Sequence, residues 1–272
     1  MTGAAAVLLP VLLTGCGSDL TELIPKRLVP STGAEPRCAD STSYPGGGLY
    51  APDVSDTTGM VLNGNAASVD GVLRVASATR NAVGSAYFAE TISLDPGTNF
   101  SAHFALRIGG GDLQTGADGM AFVLQSSPDG PRALGLDGGG LGHQNVLPSV
   151  ALEFDPYHND PDPPGGHLAL MLDGEISDGL VGYVNPTFAL NDGVKRYVWV
   201  DYDASSLRLS VYIADETSRP SVPLLTHTGL SLSATLGAAA YVGFSASAGE
   251  RFNDHDVIGE AWFTKSALRT CQ

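Results

Sequence analysis

The chain has 272 residues, 43% apolar and 16% charged, with 34 glycines and a formal net charge of −15. Fourteen Lys and Arg against 29 Asp and Glu leave no clustered cationic surface to neutralise phosphates, which excludes nucleic acid as a partner. The length suits one large domain, and abundant glycine with few charges favours short strands over long helices.

Taken in chain order, residues Ala4 to Leu13 form an apolar run too short to span a bilayer, with no Lys or Arg before it. The run ends in Leu13-Thr14-Gly15-Cys16, which resembles the lipobox of bacterial lipoproteins. That resemblance implies a signal peptide over residues 1–16, cleavage before Cys16, acylation of its thiol and a lipid anchor in a membrane. A buried apolar segment with an incidental cysteine is the competing reading. Ser18 stands where many inner-membrane lipoproteins carry Asp, so the same resemblance points to the outer membrane or cell surface. Residues 17–37 carry Ser, Thr, Pro and mixed charge without a period and read as a tether. The remaining cysteines, Cys38 and Cys271, bracket the domain at 38–272 and are expected to pair in an exported protein.

From Cys38 onward the pattern is strand after strand. Ala86 to Leu94 and Phe100 to Ile108 alternate partially, with the turn residues Asp95-Pro96-Gly97 between them. Gly119 to Leu124 and Val150 to Phe154 read as buried strands. Arg196 to Tyr202 and Leu207 to Ile213 read as a hairpin across Asp203-Ala-Ser-Ser206, and Tyr241 to Ser245 and Val257 to Phe263 complete the set. No long 3.6-residue period follows the N-terminal segment, so two stacked antiparallel sheets are the economical solution.

One polar run interrupts this pattern. Between Glu153 and His167 the chain places Asp155, Tyr157, Asn159, Asp160, Asp162 and His167 around a Pro-rich loop. Glu153 and Asp155 alternate within an apolar strand and so share a face. Hard oxygen ligands, carbonyls included, suit calcium; carboxylates with one imidazole suit manganese or a similar ion. A solvated acidic loop of turn formers is the bland alternative.

Residues 85–265 resemble the L-type, legume-like lectins, the group of concanavalin A. The resemblance rests on motifs in family order: Gly116-Ala-Asp118-Gly119, Gly138-Gly-Gly140-Leu141-Gly142, the acidic loop, Trp199-Val-Asp-Tyr202, Val242-Gly-Phe-Ser-Ala246 and His255-Asp256-Val257. It implies an all-β concanavalin A-like jelly-roll sandwich that binds sugar without turnover. It also implies Ca2+ and Mn2+ as cofactors. By the same resemblance Glu153 and His167 bind the transition ion and Asp155 bridges both ions. Tyr157, through its carbonyl, and Asn159 bind calcium. Asp162 fits the second bridging acid, with Asp160 a rival, and Ser177 lies where a water-mediated hydroxyl is expected. Asp118 matches the sugar-binding acid, preceded in the family by a cis peptide bond, and Asn159 also donates to sugar. Gly140 matches the glycine whose N–H meets the sugar, with the register open by one residue because the usual aromatic after the glycines is missing. Tyr157 would stack on the ring, and Gly249, Glu250 and Arg251 form the loop that tunes monosaccharide choice. The other histidines, His103, His143, His158, His227 and His255, show no partner pattern and read as structural or exposed.

The expected function is metal-dependent carbohydrate binding at a bacterial surface, with glycans or polysaccharides as partners and self-association open. A β-glucanase of the same sandwich fold is the enzymatic alternative. It needs a second Glu a few residues beyond Asp155, where Pro156-Tyr157-His158 stands instead. A protein-binding adhesion module with a vestigial sugar site is the third reading.

Overall fold

The computed structural model describes residues 48–112, 115–160, 162–175 and 179–264. The signal and tether segments, Cys16, Cys38, Cys271 and Ser177 lie outside the described residues.

Two antiparallel sheets dominate. One contains β1 (Gly48–Ala51), β3 (Ala67–Val69), β4 (Val72–Ala76), β6 (Phe100–Gly109), β11 (Arg196–Asp203), β12 (Arg208–Ala214), β13 (Leu225–Thr228), β15 (Asp254–Val257) and β16 (Ala261–Thr264). Its order is β13-β12-β11-β6-β15-β4-β3, with β16 pairing both β6 and β1. The second contains β2 (Met60–Gly64), β5 (Val83–Ser93), β7 (Gly119–Gln125), β8 (Ser149–Asp155), β9 (His167–Leu172), β10 (Leu180–Val184) and β14 (Ala239–Ser247), in the order β10-β9-β8-β7-β14-β5-β2.

The main core lies between the sheets, and strand alternation builds it. In β8, Val150, Leu152 and Phe154 join this core; in β7, Met120, Phe122 and Leu124 do the same. Phe104, Phe122, Phe244 and Phe263 meet at ring separations of 5.0–6.3 Å, and burying each ring stabilises by about 1.5–3 kcal/mol. The opposite face of the seven-stranded sheet is also covered. Ala121, Val123, Ala151, Ala169 and Met171 pack there against Ala133 and Val146 of the loop between β7 and β8. Burial on both faces explains why these strands read as continuous apolar runs.

The sequence reading holds for most strands and fails in detail at one. Val257 to Phe263 is not continuous: β15 ends at Val257, Gly259 takes φ +75°, and β16 begins at Ala261. That left-handed glycine breaks the pairing. The Asp95-Pro96-Gly97 turn forms, with Thr98 N–H donating to the Asp95 carbonyl at 2.9 Å. It leads from β5 into β6, which belong to different sheets. The hairpin at Asp203 forms with Asp203 opposite Arg208, its carboxylate accepting from Ser205 N–H and both serine hydroxyls.

Two of the family-like motifs hold the nine-stranded sheet together. Asp256 is fully buried and accepts from Arg74 at 2.8 Å and Arg107 at 2.7 Å. Asp201 accepts from Ser101 Oγ at 2.9 Å and from Arg219.

Candidate functional site

The site forms where β7 begins and β8 ends. These strands pair antiparallel with Met120 opposite Phe154, so Asp118, just before β7, lies beside the loop that follows Asp155. The Ala117–Asp118 peptide bond is cis. Asp118 N–H donates to the Ser247 carbonyl at 3.0 Å, which ties the residue to the end of β14. The Asp118 side chain is buried, and its Oδ1 lies 3.5 Å from Asn159 Nδ2. Its Oδ2 is buried without a hydrogen-bond partner. Burial pushes the Asp118 carboxyl up to about 6; the Asn159 amide and the nearby Gly249 N–H oppose the shift, and the charges of Asp137 and Asp162 add to it.

Glycines frame this pair. A Cβ on Gly249 would sit 3.0 Å from Asp118 Oδ2, and one on Gly139 would sit 3.0 Å from Asn159 Nδ2. Gly138–Gly140 forms a 3₁₀ turn, pinned to β14 by Ser247 Oγ donating to the Gly138 carbonyl. Gly140 is buried with its N–H on the Asp137 carbonyl at 3.1 Å, and its Cβ direction points to Gln144 and Leu136. Gly139, one residue earlier, therefore faces Asn159. Glu250 and Arg251 are exposed at the rim, with Glu250 3.7 Å from Arg80. Tyr157 is half-buried, and its N–H donates to Asp155 Oδ1 at 2.7 Å.

Beneath the rim lies a buried group of acids. Glu153 and Asp155 are 5% and 2% exposed, and strand register sets Asp155 opposite His167. Burial holds the Asp155 carboxyl well above the usual carboxylate range, and the charges of Glu153, Asp162 and Asp118 raise it further against the Tyr157 N–H. Burial also raises Asp162, whose Oδ2 accepts from Asn159 N–H at 2.9 Å. Asp160 points into solvent, 4.0 Å from His158. The structure thus places Asp162, and not Asp160, in the field of the acidic group. His167 Nδ1 lies 3.1 Å from the Gly165 carbonyl. A carbonyl only accepts, so this contact puts a proton on Nδ1.

Buried like charges are relieved either by protonation or by cations. The donor set of hard carboxylates, an amide and one imidazole fits the calcium and manganese-like pair expected from the sequence. Among the described residues no three of these acid or imidazole side chains converge on a common point. One oxygen of Glu153 is engaged: Oε1 lies 2.7 Å from Nε2 of His143, a fully buried residue.

Sequence reasoning missed three contributors. Gly139 and Gly140 are indistinguishable as letters, and only the turn geometry separates them. Ser247 lies 109 positions from Gly138, beyond any local pattern. His143 did carry a signal, an imidazole three residues after Gly140, but its partner lies across a loop.

A two-sheet antiparallel jelly roll with an acid, an amide and glycines gathered at one end defines the lectin class of this fold. The legume lectin domain matches residues 52–269, and the chain belongs to that family. A lectin of Lathyrus sphaericus is 30% identical over 228 residues, covering 79% of this chain and 88% of the relative. An L-type lectin-domain containing receptor kinase of Oryza sativa subsp. japonica is 28% identical over 212 residues, 70% of this chain. The chain spans 31% of that kinase's length. Among solved structures, the Bauhinia forficata lectin in complex with GalNAc superposes with a TM-score of 0.68 at 20% identity, covering 81% of this chain and 100% of that one; this likeness concerns the fold.

Proposed function

We propose that this chain is a metal-dependent carbohydrate-binding protein displayed on a bacterial cell surface. The observation that carries the reading is the buried, unpartnered Oδ2 of Asp118 beside Asn159, walled by Gly139 and Gly249. A carboxylate oxygen with no well-formed hydrogen bond, only the Gly249 N–H nearby, is an acceptor ready for vicinal hydroxyls, and glycine walls let a sugar approach the backbone. Asn159 supplies an amide beside it, Tyr157 an aromatic surface, and the exposed Glu250 and Arg251 a rim for discriminating monosaccharides.

Glu153, Asp155, Asp162 and His167 would hold the transition ion, and Asp155, Tyr157 through its carbonyl, Asn159 and Asp162 the calcium. When bound, the ions would supply positive charge to offset the buried carboxylates around the loop carrying Asn159. What the chain itself does is bind and orient sugar hydroxyls; no proton transfer is assigned to any side chain. A β-glucanase would need a second acid beyond Asp155 on β8, and the strand ends there. Anchoring through an acylated Cys16, with many copies or oligomers on one membrane, would raise the avidity of a shallow site.

A glycan array run with calcium and manganese, and again after chelation, tests the reading. Binding that disappears with chelation and returns with the ions is expected; binding untouched by prolonged chelation removes the metal dependence. Silence under both conditions, across a broad array, removes the sugar site.

A further inference from the structure

We propose that His143 is a positioning residue of the transition-ion site, holding one oxygen of Glu153 so that the other is presented to the cation; this rests on the metal reading above.

Glu153 lies on β8 between Ala121 of β7 and Ala169 of β9. Neither methyl neighbour offers a hydrogen bond, and two positions along the same face stands another buried acid, Asp155. The donor that reaches Glu153 is His143 Nε2, 2.7 Å from Oε1. A carboxylate only accepts, so Nε2 carries the proton between them. His143 Nδ1 is buried without a partner, so nothing on the far side of the ring competes for its orientation.

The imidazole is fixed by its own loop before any ion arrives. His143 N–H donates to the Gly140 carbonyl at 3.0 Å, and its carbonyl accepts from Val146 N–H at 2.9 Å. Gly135 N–H to Gly142 and Gly142 N–H to Leu136 close the loop on itself at 2.8 and 2.9 Å. Ala133 and Val146 pack its two ends onto the sheet. The ring therefore stands on a rigid support with its N–H aimed at the carboxylate. Among the described residues Glu153 Oε2 makes no hydrogen bond and stays available as a ligand atom. A partner that orients a metal-binding carboxylate without touching the metal commonly changes affinity about 10- to 100-fold.

The test uses the full chain, stripped of metal and resaturated with Ca2+, then titrated with Mn2+ by calorimetry and by electron paramagnetic resonance. Electron spin echo modulation of bound Mn2+ counts directly coordinated imidazole nitrogens. One, from His167, is expected for the wild type. His143→Leu should weaken Mn2+ binding about 10- to 100-fold, and His143→Gln, which keeps an N–H donor, should restore most of that loss. Near-UV circular dichroism checks folding, and the melting temperature of the metal-free forms separates a loss of stability from a loss of ion affinity. Unchanged Mn2+ affinity in a folded His143→Leu overturns the proposal, as do two coordinated imidazoles, which would make His143 a ligand. If His143→Leu does not fold, His143→Phe takes its place: a folded His143→Phe with unchanged Mn2+ affinity overturns the proposal, and one that binds Mn2+ about 10- to 100-fold more weakly supports it. Wild-type protein that takes up no Mn2+ overturns the metal reading and this inference together. Wild-type uptake with indifferent variants overturns this inference alone.

Discussion

Asp118 and Asn159 come within 3.5 Å of each other across 41 positions of sequence. The antiparallel register of β7 and β8 produces this approach: the residue before one strand and the loop after the other emerge at the same end of the sheet. An acid and an amide of opposite hydrogen-bonding character thus share one pocket without sharing a local motif.

Asp118→Asn should lower sugar affinity about 10- to 100-fold, the worth of hydrogen bonds to a charged acceptor. The fold should survive, because the amide is neutral and escapes the burial penalty that pushes the native carboxyl up to about 6. Calorimetric titration with a glycan that binds the wild type, together with a melting curve, reads both effects. Full affinity in the variant would remove Asp118 from the site.

Gly249→Ala and Gly139→Ala probe the pocket walls. Each new methyl would lie 3.0 Å from a polar side-chain atom, Asp118 Oδ2 or Asn159 Nδ2, tighter than ordinary van der Waals contact. Neither glycine takes a positive φ, so the backbone accepts alanine without strain. Weakened sugar binding at nearly unchanged melting temperature is the expected pair of results. A large drop in melting temperature instead would mean that the walls serve packing.

Asp155→Asn should act with opposite signs in the two metal states. In chelator, the folded protein holds the Asp155 carboxyl well above its unfolded range. The folded state then binds the proton more tightly, and stability falls as pH rises above the ordinary carboxylate range. Removing the charge should raise the melting temperature of the metal-free protein at neutral pH, by about 2–4 °C for each kcal/mol regained. With calcium and manganese present the wild type should melt higher than the variant. Identical curves with and without ions would count against ion binding at Asp155.

Two buried histidines away from the site should make acid destabilise the sandwich, against the opposite trend of the raised site carboxyls. His255 is fully buried on β15, and burial lowers its pKa to about 4 despite the nearby Asp256. Burial likewise lowers His103 to about 4, against its bond to the Val198 carbonyl and with Lys195 contributing. The unfolded chain takes up these protons near pH 6.5, and the folded chain only near 4. The histidine contribution is therefore full above 6.5 and falls as pH drops toward 4, by up to about 3 kcal/mol per histidine. Denaturant midpoints across this window measure the slope, and His255→Leu should remove about half of the histidine contribution. A slope unchanged by that substitution would exclude His255 as its source.

Much of the fold was legible because strands write their burial into the chain. Phe100 to Ile108, Gly119 to Leu124 and Val150 to Phe154 all appear as read, since each buries apolar side chains that leave little choice of structure. Short strands such as β3 and β10 were not legible: three to five residues with half-exposed side chains carry too weak a period. Nor could the letters show that Asp95-Pro96-Gly97 changes sheets, because a turn states its own geometry and not the partner of the strand it leads to.

The sequence by itself determined the sandwich, the shared face of Glu153 and Asp155, and the acid-rich loop that follows them, because alternation within one strand is a local property of the backbone. Only the tertiary structure decided that Gly139 faces Asn159, that Asp162 joins the acids while Asp160 faces solvent, and that His143 reaches Glu153. These depend on how loops close over a sheet. Loop closure is set by hydrogen bonds and packing between residues far apart in the chain, and no local spacing encodes them.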